Sequence, residues 1–424
     1  MPGLHLPRLL TLLCALLVMG VFGCSPAKES ADGRIVLRYL AGPDVGGGSR
    51  EIIRRFEALH PGIKIKMVEG PAASNIRENM YSTSLMGGES TYDITYMDVV
   101  WVPKFAAQGW LLPLDDRFTP EMQDEFLPGD VLGSIYDGKI YRLPAQSDAG
   151  MLYYRKDLIE AAGFKPPRDW EDLVRIAKAL QDPPKIWGFA FQGKQYEGLV
   201  CDYLEFLWGF GGRVIDKDGK IIVDSQEGID ALAAMVSTVR THHISPEGIL
   251  TFQEEEARHL FQEGKAVFMR NWPYAWNLVN SEGSPVKGKV GIMPMVGRIP
   301  GSGAATLGGW GWGISAYSEH PEEAWKFIAF ATSAESLKVS YRKGGVIPAR
   351  KSLFKDPEVL AKSPHFAKLY DVLIAARPRP VHPMYARISD AIQLHVSAAL
   401  AGQETPEEAM KGAAAEMRAF VERK

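Results

Sequence analysis

The 424-residue chain is poor in cysteine, with only Cys14, Cys24 and Cys201, so no disulfide framework can carry its fold. Stability must then come from a large apolar core, and a hydrophobic content of 46% can supply one. Blocks of like charge are also missing. The 48 Lys+Arg against 51 Asp+Glu leave a net charge of −3, which excludes a surface built for nucleic acid. After Cys24 no apolar run reaches bilayer length, so no spanning helix is expected there. No Gly-x-Ser-x-Gly elbow occurs, and Gly46-Gly47-Gly48-Ser49 lacks the lysine of a phosphate loop. It reads as a turn with Ser49 capping a helix. Metal-ligand spacing is absent as well: His242 and His243 are adjacent, while Glu255 and His259 lie one helical turn apart without a third ligand. A solvated helix face is the expectation, with no metal and no cofactor.

One long apolar run does exist, at residues 9–23, preceded by Arg8 and free of charge, as in a secretion leader. It ends in Val21-Phe22-Gly23-Cys24, which resembles a bacterial lipoprotein cleavage box. That resemblance implies cleavage before Cys24, a lipid on its sulfur and a polar tether over residues 24–34. The alternative is an ordinary cleaved leader over residues 1–23 with an incidental cysteine. Either way the mature chain works outside the cytoplasm, periplasmic or at the cell surface. Loss of the leader removes Arg8 and no acid, giving 47 − 51 = −4, and leaves Cys201 without an intramolecular partner.

The body alternates strand and helix. Ile35-Val36-Leu37-Arg38-Tyr39-Leu40 reads as a strand, Ile52, Ile53, Phe56 and Leu59 recur at helical spacing, and Ile63-Lys64-Ile65-Lys66-Met67 alternates as a second strand. A helix over residues 76–85 and a strand over 92–97 complete β-α-β-α-β, which predicts an α/β fold with a mainly parallel sheet. Asp137-Gly138 marks a hairpin. Helices opening near Asp157 and Asp169 then begin a second α/β lobe, and Ile292-Met293-Pro294-Met295 reads as a strand returning to the first. The expected lobes are residues 35–148 plus 291–338, and 149–290 plus 339–424, joined by several crossings that make a hinge.

Asp98 and Asp148 each fall at an expected strand end, one per lobe, where open α/β sheets bind ligands. Paired carboxylates can grip sugar hydroxyls from opposite cleft walls; they can equally be a helix cap and a loop acid, or the acid pair of a glycoside hydrolase. Asn271-Trp272-Pro273-Tyr274-Ala275-Trp276 and Gly308-Gly309-Trp310-Gly311-Trp312 place flat aromatics in Pro- and Gly-broken stretches. Such rings suit the C–H faces of pyranoses, and glycine lets backbone donors approach hydroxyls, although most tryptophans, Trp170 and Trp325 among them, read as core. Arg379 stands between Pro378 and Pro380, which hold the chain extended and aim its fork of donors.

Together Met97-Asp98-Val99-Val100-Trp101, Asp148-Ala149-Gly150-Met151-Leu152-Tyr153-Tyr154-Arg155, Gln192-Gly193-Lys194-Gln195-Tyr196-Glu197-Gly198, Asn271-Trp272-Pro273-Tyr274 and Gly308-Gly309-Trp310 resemble extracellular solute-binding protein family 1, in its trehalose/maltose-binding branch. The resemblance implies a two-lobed, maltose-binding-protein-like periplasmic fold of type II and a monomeric sugar receptor for an ABC importer permease. It further implies that Asp98 and Asp148 bond hydroxyls, that Trp272, Tyr274 and Trp310 stack, that Gly308 offers backbone, and that Arg379 reaches in from the second lobe. Arg77 and Glu197 are carried over with them. Two departures concern the first sugar ring: Gln146 stands where the branch has an aromatic, and Gly46-Gly47-Gly48 where it has an acid.

Overall fold

A computed structural model describes residues 33–422 apart from 89, 90 and 364, so the leader, Cys24 and most of the tether lie outside the described residues. Among the described residues no helix is long and apolar enough to cross a membrane. The alternating segment forms β2 (Ile63–Glu69) beside a parallel β1 (Ile35–Ala41), with Ile63 and Ile65 buried and Lys64 and Lys66 exposed. The intervening helix, Gly48–Leu59, buries Ile52 and Phe56. Ser49 does not cap it. The cap residue is Gly47, in the left-handed region, and the Asp44 carboxylate accepts from the amides of Ser49 and Arg50 at 3.0 and 3.1 Å.

Downstream come β3 (Ile94–Asp98), a hairpin of β4 (Ile135–Tyr136) and β5 (Lys139–Ile140), and β6 (Leu143–Ala149). Asp137 and Gly138 both take positive φ, 47° and 74°, as the primed turn requires. After Gly150 the chain enters the second lobe with β7 (Met151–Arg155), β8 (Trp187–Ala190), β9 (Ala266–Asn271) and β10 (Val290–Met293). Their order is β10-β7-β9-β8. Asp169 caps its helix by accepting from the Asp172 amide at 2.9 Å, whereas Asp157 pairs with Arg155 instead of capping.

The return to the first lobe is β11 (Thr306–Ile314), followed much later by the short β12 (Arg377–Pro378). β11 lies antiparallel to both β3 and β6, which corrects the expectation of a mainly parallel sheet. The cause is topological: β6 runs out toward the second lobe and β11 runs back beside it. β10 corrects a second expectation, since it pairs with β7 inside the second sheet. Alternation in 292–295 signals a strand but not which sheet it joins. The expected boundary at 338 also cuts through a helix, Ala334–Gly344, whose Leu337 and Val339 belong to the first core.

Leu37, Phe56, Ile94, Leu143, Trp312 and Phe327 anchor that first core, and Leu173, Phe189, Leu204, Phe268, Ile392 and Met417 the second. Each such side chain contributes about 1.5–3 kcal/mol by leaving water. A further cluster draws on both sides of the hinge through Ala149, Met151, Ala305 and Leu373. The three crossings run side by side there. The Gly150 amide donates to the Thr306 carbonyl at 3.2 Å, and the Arg377 amide to the Ala305 carbonyl at 2.9 Å.

Candidate functional site

β11 is the spine of the site. Gly308 is opposite Asp148 of β6, while Trp310 is opposite Gln146 of β6 on one side and Asp98 of β3 on the other. Asp98 and Asp148 therefore share one sheet, two strands apart. They do not face each other from separate lobes.

At the end of β3 the Asp98 carboxylate accepts from the Val100 amide at 3.3 Å, a cap, and from Arg379 Nη2 at 2.5 Å. Arg379 follows β12, which pairs with β11, so it is attached to the first sheet rather than arriving from the second lobe. Its Nη1 donates to Glu197 Oε1 at 2.7 Å, and Glu197 opens the second-lobe helix Glu197–Gly209. Glu197 is held in turn by Tyr385 Oη, donating at 2.6 Å, and by Ser389 Oγ. All three members of the Asp98–Arg379–Glu197 bridge are buried. Burial pushes the Glu197 carboxyl above its ordinary pKa, against the pull of Arg379. The Arg379 Nε has no partner among the described residues.

Asp148 is equally buried. Its Oδ2 accepts from Gln146 Nε2, and its Oδ1 has no partner among the described residues. Burial drives this carboxyl up to about 8, with the Gln146 hydrogen bond opposing. Trp272, half-buried just past β9, lies over Gly308: a Cβ there would be 3.1 Å from Trp272 Cζ3 and 3.1 Å from the Asp148 Cβ. Arg270 stacks on the Trp272 ring at 4.2 Å from its centroid, and the indole Nε1 donates to Glu254 Oε1 at 3.4 Å.

Trp310, also half-buried, stacks with Tyr96 at 5.4 Å between centroids and carries the Arg77 guanidinium at 4.5 Å. Arg77 Nη1 donates to the carbonyls of Pro71 and Ala72, at 2.5 and 2.6 Å, which fixes that stack. Burial lowers the Arg77 pKa, with Asp98 acting the other way. The Tyr274 hydroxyl donates to Glu255 Oε1 at 2.5 Å, next in sequence to the Glu254 that accepts from Trp272. The other glycines of the β11 motif serve packing. Gly309 has φ 134° and a Cβ would sit 2.9 Å from Asp130 Oδ1, while at Gly311 it would sit 2.4 Å from Arg142 Nε. They leave room for the fully buried Asp130–Arg142 pair, 3.4 Å apart.

The lobes abut beside the bridge around a cavity of about 30 Å³, lined by Asn75, Glu78, Val100, Tyr385 and Asp390. That volume accommodates about one or two waters. Tyr96, Tyr385, Ser389 and Arg270 were not among the residues singled out from sequence. Tyr96 was accessible in principle, two residues before Asp98 on the same strand face, but nothing in the sequence pairs Tyr385 and Ser389 with Glu197.

Two lobes, a three-crossing hinge and a buried polar and aromatic seam between them define a two-lobed binding protein. The chain belongs to the family described as "Bacterial extracellular solute-binding protein", whose profile matches residues 42–338. It is accordingly an extracytoplasmic binding protein and not an enzyme, which removes the glycoside-hydrolase alternative. A relative in Deinococcus radiodurans, described as a probable ABC transporter-binding protein, is 36% identical over 404 residues, covering 92% of this chain and 95% of the relative. The structure of maltose-bound T. maritima MalE3 is 42% identical, with a TM-score of 0.87 over 91% of this chain and 99% of that one. A solute-binding protein from Agrobacterium vitis with bound D-mannitol is 27% identical, with a TM-score of 0.79 over 91% and 98% of the two chains.

Proposed function

We propose that this protein is the sugar receptor of an ABC importer, capturing a disaccharide or short oligosaccharide between its lobes and delivering it to the membrane permease. Maltose and trehalose are the first candidates. The observation that carries this reading is the half-buried Trp272 ring against Gly308 beside the half-partnered Asp148: an aromatic surface for a pyranose next to a buried carboxyl oxygen without a partner among the described residues. The likeness to maltose-bound MalE3 supports it.

Asp98, Asp148, Trp272, Trp310, Gly308 and Arg379 form the sugar site, with Gln146 at its edge, Arg77 backing Trp310, and Glu197 holding Arg379. Tyr274, held by Glu255, adds a second ring beside Trp272. The first lobe takes residues 35–148 and the chain from β11 through the Ala334–Gly344 helix, and the second most of the remainder. Sugar hydroxyls compete for the carboxylates that hold Arg379, and closure completes the contacts, so ligand free energy shifts the hinge equilibrium. The mature monomer is tethered by lipid on Cys24, which keeps it near the permease, and it needs no cofactor.

The test is a calorimetric and thermal-shift screen of residues 28–424 against maltose, trehalose, sucrose, longer glucosides and mannitol, with product analysis of each hit. A sugar at a hundred times its Kd stabilises by about 2.7 kcal/mol. Saturable stabilisation without cleavage is expected, whereas silence toward every sugar would overturn the assignment.

A further inference from the structure

A second buried network lies under the hinge. Arg270, on β9, gives Nε to Glu205 Oε2 at 2.9 Å, Nη2 to Glu205 Oε1 at 2.6 Å and Nη1 to Gln192 Oε1 at 3.0 Å. Asp202 lies 2.8 Å from the same guanidinium. Glu205 Oε1 also accepts the Thr306 amide at 3.0 Å, and the Thr306 hydroxyl donates to the Cys201 carbonyl at 2.9 Å. Both Cys201 and Glu205 stand on the Glu197–Gly209 helix, so the second lobe grips the first residue of β11 directly. The other crossings are drawn in as well. Gly150 donates to the carbonyl of that same Thr306, and a Cβ at position 150 would fall 1.8 Å from Glu205 Oε1 and 2.0 Å from Arg270 Nη2. Arg377 of β12 is the register partner of Thr306.

The opposite end of this network is the aromatic wall, since the Arg270 guanidinium lies against the Trp272 ring. One residue thus touches both the hinge and the wall. We infer that Arg270 and Glu205 are positioning residues of the binding site: they clasp the hinge crossings to the second lobe and hold Trp272 in register with Gly308, so that wall and hinge move together. Arginine suits this place because a planar fork can bond Glu205 and Gln192 and still stack on an indole; a lysine ammonium cannot do all three.

The sugar-site half of this inference rests on the function proposed above, and the hinge half does not, so the experiment has two arms. In the sugar-free arm, amide exchange is followed in the wild type, Arg270→Lys and Glu205→Gln, the last retaining an acceptor for Thr306. Exchange at Thr306 and Arg377 is expected to rise at least tenfold in Arg270→Lys relative to β1 and β2. Uniform acceleration across both lobes would reduce the cluster to ordinary core and overturn the proposal.

In the second arm, maltose affinity is measured for Arg270→Lys, Trp272→Ala and the double variant. Arg270→Lys is expected to weaken binding about tenfold, and this loss should vanish in the Trp272→Ala background. Additive losses, or unchanged affinity beside a lowered melting temperature, would refute the link between clasp and wall. Failure of the wild type to bind maltose or any other sugar would instead strike the functional reading and leave the first arm standing.

Discussion

Asp148→Asn separates the charge of this carboxyl from its shape. The acid is buried and its folded pKa stands near 8, against an ordinary 3.8. Between those values the folded state binds a proton that the unfolded chain has released, so stability falls as pH rises. The slope from one such group is about 1.4 kcal/mol per pH unit, and three units between pH 5 and pH 8 remove on the order of 4 kcal/mol. Asparagine keeps an acceptor for Gln146 Nε2 and cannot ionise. Thermal and urea unfolding of both proteins at pH 5, 6.5 and 8 should therefore show the wild type losing several kcal/mol more than the variant over this interval. Glu197 and Glu78, also raised by burial, are present in both proteins and cancel in the comparison. Parallel pH profiles would refute the reasoning, because Asp148 would then be ionised in the folded state at little cost.

Arg379→Ala leaves Asp98 and Glu197 buried without their cation and should destabilise the protein by about 3–5 kcal/mol in urea unfolding, whereas an unchanged midpoint would show the bridge to be open in solution. Gly311→Ala drives a Cβ to 2.4 Å from Arg142 Nε and 2.6 Å from the Leu143 carbonyl. Its unfolding free energy should drop by about 1–3 kcal/mol, with sugar affinity measured on the folded fraction little altered. Gly308→Ala reverses that pattern: with contacts of 3.1 Å to Trp272 and Asp148, it should weaken sugar binding about tenfold by titration calorimetry while the melting temperature moves by only a few degrees.

The fold class and the existence of a hinge were legible because they rest on local periodicity. The apolar alternation of Ile63 and Ile65, the helical recurrence of Ile52 and Phe56, and the Asp137-Gly138 turn each announce their own geometry. Sheet membership was not local. Whether β10 joins the first or second sheet, and whether β11 runs with or against its neighbours, depends on where the chain crosses, and a run of valines and isoleucines carries no such information. The cap illustrates the same limit at short range, since Asp44 reaches the Ser49 and Arg50 amides across a loop that spacing alone assigned to Ser49. For the proposed site, residue type pointed to Asp98, Asp148 and Trp272 as candidate polar and stacking groups. That the two acids share a sheet, and that Arg379 joins Asp98 to Glu197, required partners 281 and 182 positions apart.

The glycines of β11 also decide where this protein can change. A side chain at 309 or 311 would strike Asp130, Arg142 or neighbouring backbone, and one at 313 would come within 2.3 Å of Met97 Cε. The central strand of the cleft therefore has almost no room to vary. Half-buried Gln146 sits across from Trp310, and Trp272 stands on the segment after β9, both outside that restricted strand. A lineage drifting toward a different cargo, or a library built to redirect this receptor, has to draw its variation from those flanking positions, with the strand between them held constant.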